Sequence, residues 1–334
     1  MAVDLNRQDW IATTREAAVD PNRRIVDPHI HLWSEREMGA GKYLFAELLA
    51  DARARHNVTH AVFVEPGSGS REDGPEHLRP VGVTEFVAEQ AVTSREAATR
   101  IGGIVAYADL KATDRLGEVL DAHEEAGRGY FRGIRHGMSW DADTTLLGGQ
   151  DPGLITNDDF RRGVAFLGER GYSFDAWLYH PQLPALASLA DAAAGTTIIV
   201  DHLGVPLYGK AGADRETTRG EWREGMKALA AHTNVLVKIG GIGMEFVYGR
   251  RWSVRPAAPT SDELVAWWGD DIRWVIDTFT PQRCMFESNY PVDRQAAGYT
   301  VLWNTFQKIA ADYTEDEQAA LFAGTAERAY RITD

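Results

Sequence analysis

Cysteine is almost absent from this chain. One residue, Cys284, occurs among 334, so no internal disulfide can form and the core alone must hold the fold. No apolar run approaches the roughly 20 residues that a membrane-spanning helix needs. Positive charge is also in deficit. Lys and Arg number 35 against 49 Asp and Glu, and the formal charge of -14 excludes nucleic acid and anionic membrane as general partners, since both require a basic surface. An anionic small molecule stays compatible, because a local Arg cluster can oppose the global sign. The first residues (Asp4, Asn6, Arg7, Asp9, Arg15, Glu16) are polar and lack the apolar stretch of a secretory signal, so a cytoplasmic protein is expected. There is no Pro/Ser-rich linker, short-period repeat or low-complexity tract.

What is present is an alternation. Short apolar, β-branched runs at 24–31, 59–65, 102–106, 131–136, 172–179, 197–201, 235–239 and 284–288 read as eight strands. Helical patterns lie between them, at 84–98, 116–126, 158–169, 184–194, 221–231 and 262–279. The expected fold is an α/β (β/α)8 barrel in one domain of residues 1–334, with the barrel proper starting at Arg24, an extra N-terminal helix before it and a closing helix over 314–330. The runner-up, an open doubly wound sheet, is weakened because no Gly-x-Gly-x-x-Gly follows the first strand. Three long segments, 66–80, 137–157 and 240–260, follow strands and would stand on the catalytic rim. Their Arg71, Trp140, Tyr248, Arg250, Arg251, Trp252 and Arg255 read as a lid with aromatic and cationic substrate contacts.

In such a barrel the C-terminal strand ends converge on one pocket. His29 and His31 share a strand face, so both imidazoles can meet one ion. Alone, the pair could equally be ordinary strand polar groups. The other ends supply Arg135 and His136, Tyr179 and His180, Asp201 and His202, Lys238, and Glu287-Ser288-Asn289. Five of the ten histidines fall at such ends, which favours a metal site. Asp27 lies two residues before His29 and can orient a ligand from behind. His136 has opposite parity to Arg135, and Cys284 has opposite parity to Glu287, so both are expected to face the helices.

The segments Val26-Asp27-Pro28-His29-Ile30-His31-Leu32-Trp33, His180-Pro181-Gln182-Leu183, Val200-Asp201-His202-Leu203-Gly204 and Phe286-Glu287-Ser288-Asn289-Tyr290-Pro291-Val292-Asp293 together resemble the amidohydrolase superfamily. More narrowly, they resemble its amidohydrolase-related branch of TIM-barrel metal-dependent hydrolases, which holds sugar-acid and pyrone or muconate lactonases beside non-oxidative decarboxylases. The resemblance implies His29, His31 and His180 as metal ligands and His202 as the residue at the substrate carbonyl or water. It also implies Arg135 as the holder of a substrate carboxylate. Trp33, Tyr179 and Lys238 join Arg135 as candidate substrate contacts.

The chain departs from the family pattern on the last strand, where an Asp is replaced by Asn289 and a Gly by Glu287. An amide cannot act as a general base. Glu287 sits roughly 6.6 Å deeper along a strand with the same parity, so the change reads as a relocated carboxylate. Glu287 is then the expected ligand or base, with Asn289 bonding substrate or water. The alternative pairs Glu287 with an inward cation such as Lys238. Asp293, past Pro291, is expected to cap the next helix.

The implied cofactor is one divalent ion, Zn first, with Mn or Fe as alternatives and metal-free operation still open. The implied reaction is hydrolysis of a lactone or related carbonyl compound bearing a carboxylate, the partner being an anionic, planar small molecule. A decarboxylase of an aromatic or muconic acid is the alternative, and a degenerate binding protein the third reading. A homo-oligomer is compatible with all three.

Overall fold

The computed structural model describes residues 7–34, 41–67, 69–146 and 151–333. Parts of two rim segments, Ser68 and 147–150, therefore lie outside the described residues. Eight strands form one parallel sheet in chain order: β1 (Arg24–Ile30), β2 (Asn57–Val64), β3 (Arg100–Ala106), β4 (Phe131–Gly137), β5 (Ser173–Trp177), β6 (Ile198–Val200), β7 (Val235–Ile239) and β8 (Cys284–Phe286). The sheet curls back on itself where Ile30 bridges Tyr290 and the His31 N–H donates to the Tyr290 carbonyl at 2.8 Å. The (β/α)8 expectation is met. Each strand is nearly all buried because both of its faces are covered, as parallel sheets require.

The helices in chain order are α1 (Gln8–Ile11), α2 (Phe45–Ala52), α3 (Val81–Thr93), α4 (Leu116–Ala126), α5 (Asp158–Glu169), α6 (Leu183–Ala192), α7 (Arg215–Ala230), α8 (Glu245–Tyr248), α9 (Ser261–Phe279), α10 (Tyr299–Ile309), α11 (Glu315–Ala319) and α12 (Thr325–Tyr330). Their starts follow side-chain chemistry. Asn157, Asp214 and Thr260 each accept from an orphan N–H at the head of α5, α7 and α9. The expected extra N-terminal helix is only the four-residue α1, and the closing helix is broken by a π-helical turn, Ala320–Gly324. That turn seats Phe322 on Phe286 of β8, with ring centroids 4.9 Å apart. Tyr330 of α12 then reaches into the barrel, where its hydroxyl donates to Asp175 at 2.7 Å.

The lid expectation needs correction for the segment 240–260. Tyr248 is 1% and Trp252 2% exposed, so both belong to the core. Alternating rings and guanidiniums fasten this segment: Arg215 lies over Tyr208 and Trp267, Arg250 over Trp267 and Trp252, and Arg255 over Trp252. Arg7 and Trp10 clasp it from outside through the carbonyls of Ser253 and Arg255. Arg71 and Arg255 are committed to Glu85 and Glu263. Of the rim aromatics named above, Trp140, at 37% exposed, does stand at the surface.

Candidate active site

The barrel strands bring eight ionisable groups into one buried network. His29, the last residue but one of β1, lies with its ring centroid 4.9 Å from His31 and 4.6 Å from His202. Glu287 faces two of these rings. Its Oε1 accepts from His202 Nδ1 at 2.5 Å, and its Oε2 stands 2.9 Å from His29 Nδ1. Among the described residues, His29, His202 and Glu287 are the one group of three whose ligand-type atoms lie within 4.8 Å of one another. Beneath them Lys238 pairs with Asp175 at 2.5 Å and Asp201 at 3.3 Å. Arg135 closes the network, donating from Nε to Asp201 at 3.0 Å and from Nη1 to the Glu65 carbonyl at 2.8 Å.

The backbone at this mouth is strained where the site needs it. His202, Leu203 and Val205 all have positive φ, as does Asn289, where Asn tolerates the left-handed region better than most residues. The turn after β6 is held by Tyr248, whose hydroxyl donates to the His202 carbonyl at 2.6 Å, and by Trp222, whose Nε1–H donates to the Leu203 carbonyl at 2.6 Å. Gly241 passes so close to the His202 ring that a Cβ there would meet Cγ at 2.6 Å. Any side chain at 241 would displace that imidazole.

The other sequence-derived candidates fall in several places. His31 donates from Nδ1 to the Val64 carbonyl at 2.7 Å, which leaves the lone pair on Nε2, 3.2 Å from Asn289 Oδ1. Asn289 is held by Asp293, to which its Nδ2 donates at 2.8 Å. The helix-cap expectation for Asp293 is thus wrong: its carboxylate is buried and also accepts from the Gly243 N–H at 2.9 Å. His180 is not brought into the histidine group. Its Nδ1 accepts from the Leu207 N–H at 3.2 Å and its Nε2 faces Glu221 at 3.6 Å.

Trp33 is buried, with its ring stacked 6.1 Å from that of His31, and Tyr179 is buried against Trp177. Lys238 lies beneath the histidines and does not form the ion pair with Glu287 weighed above; Asp175 and Asp201 take it. Asp27 accepts from the Ser288 and His29 N–H groups and from Tyr299, tying β1 to the end of β8. His136 packs on Tyr107 and Phe160, away from the mouth, as its parity predicts. Asp175 is the residue that sequence reasoning missed, although a lone carboxylate inside the apolar run Ser173–Trp177 was an available signal; Tyr248, read from the sequence as a lid residue, instead braces the His202 turn.

Burial sets the charge states. It pushes His29, His31 and His202 down to about 3, helped at His29 by Lys238 and at His31 by Arg135, so all three imidazoles are neutral. Burial pushes Asp27 and Asp175 up to about 6. It also opposes the charge on Lys238, but Asp175, Asp201 and Glu287 outweigh it and raise the ammonium above its ordinary value. Burial opposes Asp201 as well, where Lys238, His29 and Arg135 prevail and hold the carboxylate well below the usual range.

These shifts predict acid lability. Histidines 29, 31, 56, 123, 136, 180 and 202 are all lowered in the folded chain, chiefly by burial. As pH falls through the ordinary histidine value of 6.5, the unfolded chain therefore takes up protons that the folded chain does not, and stability drops. Asp27, Asp51, Glu65, Asp175 and Asp293, whose carboxyls burial raises, work in the opposite direction, but the seven histidines outnumber them. Urea midpoints should fall between pH 7.5 and 5.5; a rise would contradict the buried neutral histidines.

A divalent ion fits this donor set on two counts. Nε2 of His29 is buried without a partner, and three carboxylates (Asp175, Asp201, Glu287) face only two cations (Lys238, Arg135). Comparison with known proteins finds relatives along almost the whole chain. A family model described as Amidohydrolase matches residues 26–332. The protein y4mH of Sinorhizobium fredii is 30% identical over 327 residues, which is 92% of this chain and 98% of the relative. An L-fucono-1,5-lactonase of Burkholderia multivorans is 28% identical over 322 residues, 92% of this chain and 96% of that one. A crystal structure of an amidohydrolase from Burkholderia multivorans with bound zinc aligns with a TM-score of 0.72 at 27% identity, covering 92% of this chain and 99% of that chain.

Proposed function

Since this chain belongs to the amidohydrolase family, we propose that it is a hydrolase that opens a lactone ring. The observation that carries the reading is the buried His202–Glu287 pair at 2.5 Å. With Nδ1–H committed to Glu287, Nε2 of His202 holds a lone pair and serves as general base. As the water oxygen bonds to the carbonyl carbon, a water proton passes to His202 Nε2 and the carbonyl π pair moves onto oxygen. When that pair returns, the ring C–O bond breaks, and the leaving oxygen takes the proton back from His202. The product is a hydroxy acid. Glu287 stabilises the transient imidazolium, as an orienting carboxylate does in other base pairs of this kind.

A divalent ion held by His29 and His31 with Asn289, which leaves His202 and Glu287 to each other, would supply polarisation of the carbonyl and a more acidic water. Trp33 and Tyr179 are assigned to the walls of the substrate site. Arg135 is assigned to the substrate through its Nη edge only, because Asp201 and Glu65 occupy Nε and Nη1. A bidentate carboxylate clamp through Nε is therefore not part of this reading. The identity of the relative named a lactonase, over nearly its full length, supports the choice of a lactone.

The test is a turnover screen of the purified protein. Sugar-acid lactones and pyrones are followed by proton release, aromatic and muconic acids by carbon dioxide. Proton release on a lactone is expected. Carbon dioxide without ring opening would make the protein a lyase, and inertness across both sets, with and without added zinc, would reduce it to a binding protein.

A further inference from the structure

Asp293 is a buried acid that the hydrolytic scheme leaves unused. It lies past the end of β8, 1% exposed, and two N–H groups converge on its carboxyl group. Asn289 Nδ2 donates to Oδ1 at 2.8 Å, and the Gly243 N–H donates to Oδ2 at 2.9 Å. The Asp293 N–H in turn donates to the Asn289 carbonyl at 3.1 Å, so side chain and backbone both tie the two residues. The approach of the loop after β7 requires a glycine, because a Cβ on Gly243 would meet Asp293 Cγ at 2.8 Å. The same loop lays Gly241 against the His202 ring, so one stretch of bare backbone serves both residues.

The consequence for Asn289 follows from the chemistry of an amide. A carboxamide has one acceptor end and one donor end. With Nδ2 turned to Asp293, Oδ1 is left beside His31, 3.2 Å from its Nε2. Turned over, the same side chain would offer that position two N–H donors and no lone pair. A carboxylate at 289, the residue type of the family pattern, has two equivalent oxygens and needs no such guide. An amide does.

We propose that Asp293 is a positioning residue for metal binding, one that holds the Asn289 amide with its oxygen toward the ion. Asn289 and Asp293 together then replace the single Asp that strand 8 lacks. The oxygen ligand comes from the amide and its orientation from the turn that follows, while Glu287 stays with His202. Outer partners of this kind are worth about 10- to 100-fold in metal affinity. This role rests on the ion position given above, at His29, His31 and Asn289, and not on the choice of a lactone as substrate.

The experiment is calorimetric titration of the full chain, stripped of metal, with zinc chloride. Asp293→Asn, shown folded by circular dichroism, is expected to bind zinc about 10- to 100-fold more weakly than the unmodified chain. An amide at 293 has one oxygen for two N–H donors. If it keeps Gly243, Asn289 turns over and its oxygen leaves the ion. Exchanging the pair, Asn289→Asp with Asp293→Asn, is expected to bring affinity back at least to that of the unmodified chain, because a carboxylate at 289 has no wrong end. A purely structural Asp293 gives no such rescue. Unchanged affinity in Asp293→Asn would overturn the proposal, as would a folded double variant no tighter than the single one. Should Asp293→Asn not fold, the double variant decides, and binding weaker than that of the unmodified chain counts against the proposal. An unmodified chain that takes no zinc also overturns it. Turnover is not measured, so failure of the lactonase reading would leave each of these outcomes intact.

Discussion

Glu287→Gln lowers turnover by about 10²- to 10⁴-fold, the range that a positioned acid–base pair contributes. The carboxylate accepts from His202 Nδ1 and from the His202 backbone N–H, at 2.5 and 3.3 Å, through one oxygen, while the other faces His29. A carboxamide keeps the shape but offers one acceptor and one donor. Either His202 loses its partner, or the amide turns an N–H toward an imidazole nitrogen and reverses the tautomer that leaves Nε2 free. In both cases the imidazolium formed during attack loses a buried counter-charge. KM should change less than kcat, because Glu287 touches no substrate in this scheme. Bound metal in the purified variant is measured alongside: loss of an ion present in the unmodified protein would make Glu287 a ligand, as the sequence suggested. A folded variant with full turnover and full metal content would remove Glu287 from both roles.

Lys238→Ala destabilises the fold by about 3–5 kcal/mol, the cost of breaking a buried ion pair from one side. The ammonium is fully buried between Asp175 and Asp201, and the Tyr330 hydroxyl caps Asp175 from below. Without Lys238, Asp175 keeps Tyr330, and Asp201 keeps Arg135 at the mouth with the neutral His29 ring 3.6 Å away. Urea unfolding at neutral pH measures the loss. A loss below about 1 kcal/mol would mean that the carboxylates protonate at little cost and that the network is not a stability element. Asp175→Asn in the same background should recover part of the loss, since it removes the charge left unpaired.

How much of this was visible beforehand differs by residue. The strands were legible to within a few positions because β-branched runs buried on both faces leave an unbroken apolar signal. Their ends were less so. The last strand was read through Ser288, yet β8 stops at Phe286 and Asn289 adopts positive φ, so the parity linking 287 to 289 does not extend across the strand end. The same happens after β6, where His202 begins a left-handed turn that no local preference announces. Period-2 reasoning works only while the chain stays extended, and functional residues gather where it ceases to be. Helices α2 and α10 were not singled out, although their apolar residues do recur at helical spacing.

By itself, the sequence determined that six of eight strand ends would carry histidines, carboxylates and cations to one mouth, since composition and alternation leave the barrel little competition. It also determined that strand 8 has a Glu and an Asn where an Asp would be expected. Tertiary structure alone decided which partners those groups take. Glu287 went to two imidazoles and Lys238 to two aspartates and His29, because hydrogen-bond direction and burial, which no spacing encodes, choose among neighbours at similar distance.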